Sequence, residues 1–196
     1  IAEVLRQGGY RTLMAGKWHV GEERPHWPCD RGFDEYFGLI SGASNYFRLD
    51  PGRKMARNNE PFEPSGDRFY MTDAFTDEAV KFLGKYGREP APFFLYLAFG
   101  AMHAPHQAPP EWIERYRGRF DQGWERWREE TFARQVELGI VPEGTTLPPR
   151  PEWVPAWEEM DEDRRRVSAR MMEVFAGFLS HTDHHIGRLV SFLEEI

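Results

Sequence analysis

The chain has 196 residues, of which 40% are hydrophobic and 15% aromatic, and its formal net charge at pH 7 is −7. This apolar content is enough for one substantial core. Neither sign of charge forms a long block, which argues against nucleic acid as a partner. No apolar run approaches the roughly 18 to 20 residues that span a bilayer, so we expect no membrane-spanning segment, and the cellular compartment stays open. The lone cysteine, Cys29, excludes an internal disulfide and a cysteine-rich zinc module.

The first predicted elements are a short helix and a buried strand. Ile1, Val4 and Leu5 have helical spacing and precede two glycines, a common way to end a helix. A strand is expected over residues 12–15. The chain starts with Ile1 instead of an initiator Met, and its last periodic segment runs to the end without a cap, so we expect a fragment of a longer protein.

The middle of the chain predicts loops, then a helix and a second strand. Residues 22–68 are rich in Gly, Pro, Asn and Asp with scattered aromatic side chains, a pattern that predicts packed irregular loops. Thr72 and Asp73 are expected to cap a helix that ends at Gly87. The apolar run over residues 93–99, bounded by prolines, is typical of a strand covered on both faces. A helix followed by a buried strand, twice over, predicts an α/β fold with a largely parallel sheet.

The second half of the chain changes composition. Residues 111–163 are rich in Trp, Arg, Glu and Pro, with a helix expected over about 122–138 and then a Pro-rich stretch that can be neither helix nor central strand. We interpret this segment as an insert. Its tryptophans could line a substrate entrance, but packing is the simpler interpretation for Trp112, Trp124 and Trp127. A long amphipathic helix packed on the sheet is expected next, with an apolar stripe formed by Val167, Met171, Val174, Phe178, Thr182, Ile186, Leu189 and Leu193.

The stretch GYRTLMAGKWHVG places Lys17 and His19 directly after the first predicted strand. If the strand continues to His19, its alternation turns both side chains to one side and Trp18 to the other. Ligands of parallel-sheet folds bind beyond the carboxyl ends of the strands. A lysine supplies a fixed positive charge and a histidine exchanges a proton near neutral pH, so the pair suits an oxyanion such as sulfate or phosphate. A surface lysine and a histidine packed on Trp18 are the simpler alternative.

His103 favours the functional interpretation. It lies just past the second buried strand, in GAMHAP, where that end of a parallel sheet would also be open to a ligand. Packing alone explains one strand end that carries a lysine or histidine more readily than two such strand ends. His106 is a weaker candidate because it lies beyond Pro105. A phosphate-binding P-loop is excluded because Arg11 and Trp18 stand where that motif needs a glycine and a hydroxyl residue.

Other residues with reactive side chains are interpreted as structural. His181 and His185 lie one turn apart in a predicted helix, but without the glutamate of a zinc-protease helix or a third ligand they are better explained by packing. Asp183 and Arg188 are interpreted in the same way. Cys29 has no activating neighbour at a suitable spacing. We predict no metal site within the chain, because the scattered carboxylates lack the spacing of a calcium loop: Asp30, Asp34, Asp50, Asp67 and Asp73.

Taken together, these segments resemble the sulfatase family. GYRTLMAGKWHVG resembles the second signature of that family, and the other matching segments follow in the family's order over nearly the whole chain: PHWPCDRGFDEYFG, FYMTDAFTDEAVKFL, PFFLYLAFGAMHAPHQAP and FAGFLSHTDHHIGRLVSFLE. The segment from Tyr116 to Trp157 resembles an insert of the larger bacterial arylsulfatases. The resemblance implies the three-layer α/β/α sandwich of the alkaline phosphatase superfamily, incomplete here, with residues 1–196 forming part of one catalytic domain.

The resemblance also implies a mechanism. In that family a Cys or Ser within Cys/Ser-x-Pro-x-Arg is oxidised to formylglycine, whose hydrate attacks sulfur, and a calcium ion held by three Asp and one Asn binds the sulfate. Lys17 and His19 match the residues that bind sulfate and assist breakdown of the covalent intermediate. His103 matches a residue beside the leaving-group oxygen. Cys29 lacks the Pro and Arg of the nucleophile motif, so the nucleophile and the calcium ligands are expected outside this chain.

The implied function is that of a fragment of a calcium-dependent arylsulfatase. Its substrates would be small sulfate esters, and a formylglycine-generating maturation enzyme would act on the full protein. The isolated chain is then expected to be inactive. Two alternatives stay open: a phosphonate or phosphate monoester hydrolase of the same superfamily, and a non-catalytic anion-binding pseudoenzyme.

Overall fold

The computed structural model describes residues 1–66 and 68–196; Asp67, one of the carboxylates considered above, lies outside the described residues. Two short 3₁₀ turns, Cys29–Arg31 and Trp157–Glu159, accompany the helices and strands. In chain order the helices and strands are α1 (Ala2–Gln7), β1 (Arg11–Gly16), β2 (Glu35–Leu39), β3 (Met55–Arg57), β4 (Glu60–Pro61), α2 (Met71–Tyr86), β5 (Phe93–Ala98), α3 (Pro110–Glu114), α4 (Trp124–Glu137) and α5 (Glu162–Glu195).

Within the described residues, five strands form one sheet in the order β4-β3-β2-β1-β5. β1 lies parallel to both β2 and β5, whereas β3 runs antiparallel to β2 and to β4. The predicted strands over residues 12–15 and 93–99 correspond to β1 and β5. The sheet is mixed, and its parallel strands β2, β1 and β5 occupy the centre and one edge. The prediction that residues 93–99 are covered on both faces was wrong, because β5 is an edge strand without fully buried residues, and Tyr96 is 48% exposed.

The two faces of the sheet are covered by different helices. Tyr36 and Phe37 are neighbours on β2, so their side chains point to opposite faces. Tyr36 is buried in a cluster with Ala2 of α1 and Met14 of β1. Phe37 meets Phe75 of α2 edge to face, with ring centroids 6.3 Å apart. The order α1, sheet, α2 is thus an α/β/α arrangement.

The prediction of irregular loops over residues 22–68 was wrong in part, because β2, β3 and β4 lie in this segment. β2 has only five residues, four of them buried. Glycine, proline and aspartate residues flank β2 on both sides, so the average composition of the segment does not indicate a strand. The missed strand matters because it is a parallel neighbour of β1.

α2 also begins differently from the prediction. Its N-cap position is Tyr70, which makes no side-chain capping hydrogen bond, and Thr72 is buried within the first turn. The carboxylate of Asp73 lies beside two histidines of α5 instead of capping the helix. The capping prediction was wrong because this carboxylate has tertiary neighbours, which local spacing does not reveal.

The chain forms two compact units: unit 1 is Ile1–Ala108 with Phe178–Ile196, and unit 2 is Pro109–Gly177. Unit 2 holds α4, which confirms the helix predicted over about 122–138 within two residues. The predicted insert over about 111–163 falls in unit 2, and its assignment as an insert in one catalytic domain stays a prediction. The core of unit 2 contains Phe120, Trp157, Met160 and Ala169, with Trp124 and Trp127 packed against it.

α5 is the predicted long helix, but its buried face is not the predicted apolar stripe. Val167, Met171 and Ile186 are 55%, 59% and 45% exposed. Polar side chains take buried places where they have partners; the Glu173 carboxylate, for example, accepts the backbone N–H of Gly118 at 2.7 Å. α5 is not apolar enough to cross a membrane, and neither is any other described helix. The buried positions include Ala169, Glu173, Phe178, His181, Thr182 and His185.

β1 ends at Gly16, where three strands approach closely. Gly16 pairs with Ala98 of β5 and has a φ of +132°. A β-carbon on Gly16 would overlap the Ala98 carbonyl, and one on Gly38 of β2 would overlap the Gly16 carbonyl. The buried hydroxyl of Tyr36 donates to that same Gly16 carbonyl at 3.1 Å. These contacts determine where the next residue, Lys17, leaves the sheet.

Replacing Gly16 with alanine is expected to lower the free energy of unfolding by about 3 kcal/mol, because the methyl group must push two paired strands apart. Gly9→Ala is the matched control. Its φ of +86° is also left-handed, but an added β-carbon meets no atom within 4 Å, so backbone strain of about 1 kcal/mol is expected. Urea unfolding of both variants measures the difference. Equal losses of unfolding free energy in the two variants would show that backbone strain, and not the close approach of the strands, requires glycine at position 16.

Candidate active site

The chain leaves β1 between the ends of its two neighbours. The Lys17 N–H donates to the Ala98 carbonyl of β5 at 2.7 Å, and the Trp18 N–H donates to the Leu39 carbonyl of β2 at 2.8 Å. The strand ends at Gly16 and does not continue to His19, which has a left-handed φ of 51°. The positions of Lys17 and His19 therefore come from this turn, and not from strand alternation.

Lys17 and His103 line the same narrow cavity of unit 1. Lys17 follows β1 and His103 follows β5. Because these adjacent strands are parallel, their carboxyl ends lie side by side at the same edge of the sheet. The imidazole of His19 lies over the backbone of Gly42, which lines this cavity; a side chain on Gly42 would overlap the ring. The structure thus brings Lys17 and His103 together, with His19 beside them. His106, the weaker candidate, is exposed and outside the described lining of the cavity.

The ring of His103 is oriented by its own loop. Its Nδ1 lies 2.7 Å from the Ala104 carbonyl oxygen. Because a carbonyl only accepts hydrogen bonds, Nδ1 carries a proton in this arrangement. Nε2 is then the nitrogen that can meet a substrate, as an acceptor when the ring is neutral and as a donor when it is protonated. The backbone N–H of His103 donates to the Gly100 carbonyl at 3.0 Å, which closes the turn.

Tyr46 ties the loop of His103 to the loop that follows β2. Its hydroxyl donates to the His103 carbonyl at 3.0 Å, and its backbone N–H donates to Oε1 of Gln107 at 2.9 Å. Its own carbonyl accepts the N–H of Met71 at 2.8 Å. Burial raises the pKa of Tyr46 to about 12, so the hydroxyl keeps its proton at neutral pH. Tyr46 therefore acts as a positioning residue for His103.

Gly42, Ser44 and Tyr46 line the cavity but were not identified from the sequence. They follow β2, the strand that composition hides. A usable signal is present, because the apolar run EYFGLI is followed by the small and polar residues SGASN. The same pattern of a strand followed by polar groups identified Lys17 and His103.

The surroundings of Cys29 match its interpretation as a structural thiol. The side chain is partly buried, and its Sγ lies 3.8 Å from Oδ1 of Asn58. Burial, reinforced by the nearby carboxylates of Glu35 and Asp30, raises the pKa of the thiol to about 12. A thiol that keeps its proton at neutral pH is a poor nucleophile.

Among the described residues, the group of three close metal-ligating side chains is Asp73, His181 and His185. Calcium takes six to eight oxygen ligands. Two imidazoles and one carboxylate do not fit that preference, so these residues do not fit the calcium ion that the resemblance implies. We therefore assign these three side chains no role in binding sulfate.

The family model described as Sulfatase matches residues 1–195. The chain belongs to the sulfatase family. Over its whole length this sulfatase chain is 34% identical to an uncharacterized sulfatase of Schizosaccharomyces pombe and 33% identical to an arylsulfatase of Klebsiella aerogenes. It covers 38% of the first protein and 43% of the second. The sulfatase chain therefore spans less than half the length of these curated relatives.

Solved structures show the same fold. Ps i-CgsB, in complex with k-i-k-neocarrahexaose, matches 99% of this sulfatase chain with a TM-score of 0.65 and 25% identity, over 36% of its own chain. The protein yidJ of Bacteroides fragilis, described as a sulfatase, matches 99% of the chain with a TM-score of 0.63 and 15% identity, over 39% of its own chain. The predicted alkaline phosphatase-like α/β fold, incomplete in this chain, is confirmed.

Proposed function

We propose that the protein containing this chain is an arylsulfatase that hydrolyses small sulfate monoesters. The observation that supports it is the meeting of Lys17 and His103 in one cavity at the carboxyl ends of β1 and β5. The ammonium group of Lys17 can hold sulfate oxygens as charge develops on them. Nε2 of His103 can give a proton to the departing phenoxide or alkoxide. His19, beside the cavity, is proposed to bind sulfate and assist breakdown of the covalent intermediate.

The nucleophile of the proposed reaction is a formylglycine outside this chain, produced by a maturation enzyme. The thiol of Cys29 lacks both the sequence motif and the low pKa of a reactive cysteine, which supports a nucleophile elsewhere. A calcium ion that binds the sulfate is likewise proposed to have its ligands outside these residues. On this proposal the 196 residues alone show no turnover.

The family match favours sulfate over phosphate. The model described as Sulfatase covers residues 1–195, and an arylsulfatase of Klebsiella aerogenes is 33% identical over the whole chain. This supports the sulfatase over the phosphate or phosphonate hydrolase.

The full-length, matured protein is expected to hydrolyse 4-nitrophenyl sulfate with a kcat/KM at least about ten times that for 4-nitrophenyl phosphate, a preference of about 1.4 kcal/mol. Steady-state assays with both esters measure the ratio. Faster hydrolysis of the phosphate ester would contradict the proposal in favour of the phosphate hydrolase. Binding of inorganic sulfate without turnover of either ester would identify an anion-binding pseudoenzyme instead.

A further inference from the structure

In unit 1, α2 and α5 meet through three side chains that are not part of the proposed sulfate site. Asp73 lies in the first turn of α2, and His181 and His185 lie one turn apart on α5. The two imidazoles are each 5% exposed, whereas the Asp73 side chain is 44% exposed. Their Nε2 atoms lie 3.1 and 2.9 Å from Oδ1 of Asp73, for His181 and His185 respectively. The three ligating atoms all lie within 4.8 Å of one another.

We propose that Asp73, His181 and His185 bind a divalent transition metal ion of the zinc type, which links α2 to α5. Two imidazoles and one carboxylate are a donor set that zinc accepts in proteins. Ligand atoms about 2.0–2.1 Å from a tetrahedral zinc ion stand roughly 3.3 Å apart. The observed separations of 3.1 and 2.9 Å therefore require only a small outward shift. The Asp73 side chain is 44% exposed, so the cluster lies near solvent, and a water molecule would supply the fourth ligand.

The hydrogen bonding of Asp73 supports a cation at this place. Its Oδ1 is buried and has no partner of regular hydrogen-bond geometry, although the Nε2 atoms of His181 and His185 lie only 3.1 and 2.9 Å away. A buried carboxylate oxygen that lies close to two ring nitrogens without a regular hydrogen bond is an arrangement that a shared metal ion satisfies.

Arg188 competes with the metal ion. Its Nη1 lies 3.0 Å from Nδ1 of His185, and its Nη2 donates to Oδ1 of Asp77 at 2.8 Å. A guanidinium only donates, so Nδ1 of His185 accepts and the proton of the neutral ring sits on Nε2. Metal binding through Nε2 needs this proton on Nδ1. When the metal binds, the proton of His185 must therefore move from Nε2 to Nδ1 through solvent, and Arg188 must give up its hydrogen bond to Nδ1. Removal of Arg188 should then tighten metal binding.

The test uses the full-length protein, stripped of transition metals by a chelator and kept in excess calcium to fill oxygen-ligand sites. Titration with Co²⁺ should produce the visible absorption bands of a tetrahedral site, which Zn²⁺ then displaces. Asp73→Asn and His181→Gln are expected to weaken Zn²⁺ binding by at least roughly tenfold, and Arg188→Gln to tighten it by roughly tenfold. His106→Gln, at an exposed histidine outside this cluster, is the control and should leave the affinity unchanged.

Thermal unfolding distinguishes a metal site from a contact made only by hydrogen bonds. Zn²⁺ is expected to raise the Tm of the wild type and of His106→Gln, but not of Asp73→Asn. Absence of Co²⁺ bands and of a zinc-dependent Tm shift in the wild type would overturn the metal site, as would unchanged zinc affinity in Asp73→Asn. None of these measurements depends on ester hydrolysis, so their failure is separate from a failure of the proposed sulfatase function.

Discussion

Lys17→Ala in the full-length protein is expected to lower kcat/KM for an aryl sulfate by about 10²–10³-fold, or roughly 2.7–4 kcal/mol of transition-state stabilisation. The backbone of Lys17 is held between β5 and the end of β1 by its 2.7 Å hydrogen bond to Ala98. Its side chain is half-buried in the cavity that it shares with His103. A cation fixed in this way needs no reorganisation when charge develops on the transferring oxygens, and alanine removes it entirely.

Lys54→Ala is the control for the loss of a lysine. The Lys54 ammonium pairs with Glu23 and lies outside the described lining of the cavity. We expect this variant to keep kcat/KM close to that of the wild type, and both variants to retain their unfolding midpoints. A loss smaller than about threefold in Lys17→Ala, which is less than 1 kcal/mol, would contradict the role of Lys17 in holding sulfate.

His103→Gln is expected to lower kcat by about 10²–10⁴-fold, the usual contribution of a positioned proton donor. Glutamine keeps a polar side chain of similar length, but it cannot deliver a proton as Nε2 of an imidazolium can. The loss should depend on the leaving group. It should be smaller for 4-nitrophenyl sulfate, whose phenoxide leaves readily, and larger for phenyl sulfate, whose phenoxide needs the proton more.

His106→Gln is the matched control, because His106 is an exposed histidine of the same loop that lies outside the described lining of the cavity. It should change neither rate. An equal loss for both esters in His103→Gln would mean that His103 binds or orients substrate and is not the proton donor. Initial rates at saturating concentrations of each ester separate these outcomes.

Much of the fold could be predicted because several of its elements are clearly patterned. β1, β5, α2 and α4 were recognised from apolar runs and helical spacing. β2 could not be recognised in this way, since its five residues lie among turn-forming residues. The buried face of α5 was also misjudged, because Glu173, His181 and His185 are buried with tertiary neighbours that no local pattern displays.

The candidate site shows the same division. Lys17 and His103 were each recognisable as polar groups at the end of a strand. Their meeting depends on β1 and β5 being hydrogen-bonded neighbours, paired from Arg11 with Phe93 to Gly16 with Ala98. The strand pattern predicts the existence of each strand but not its place in the sheet.

The amino-acid sequence by itself determined the α/β class, the sulfatase resemblance and the three residues expected to handle sulfate, because each is written in a short continuous stretch. Only the tertiary structure decided that Lys17 and His103 share a cavity, that Tyr46 holds the loop of His103, and that Asp73 stands beside His181 and His185. The physical reason is that strand order and helix packing bring distant segments together, and both depend on the burial of the whole core.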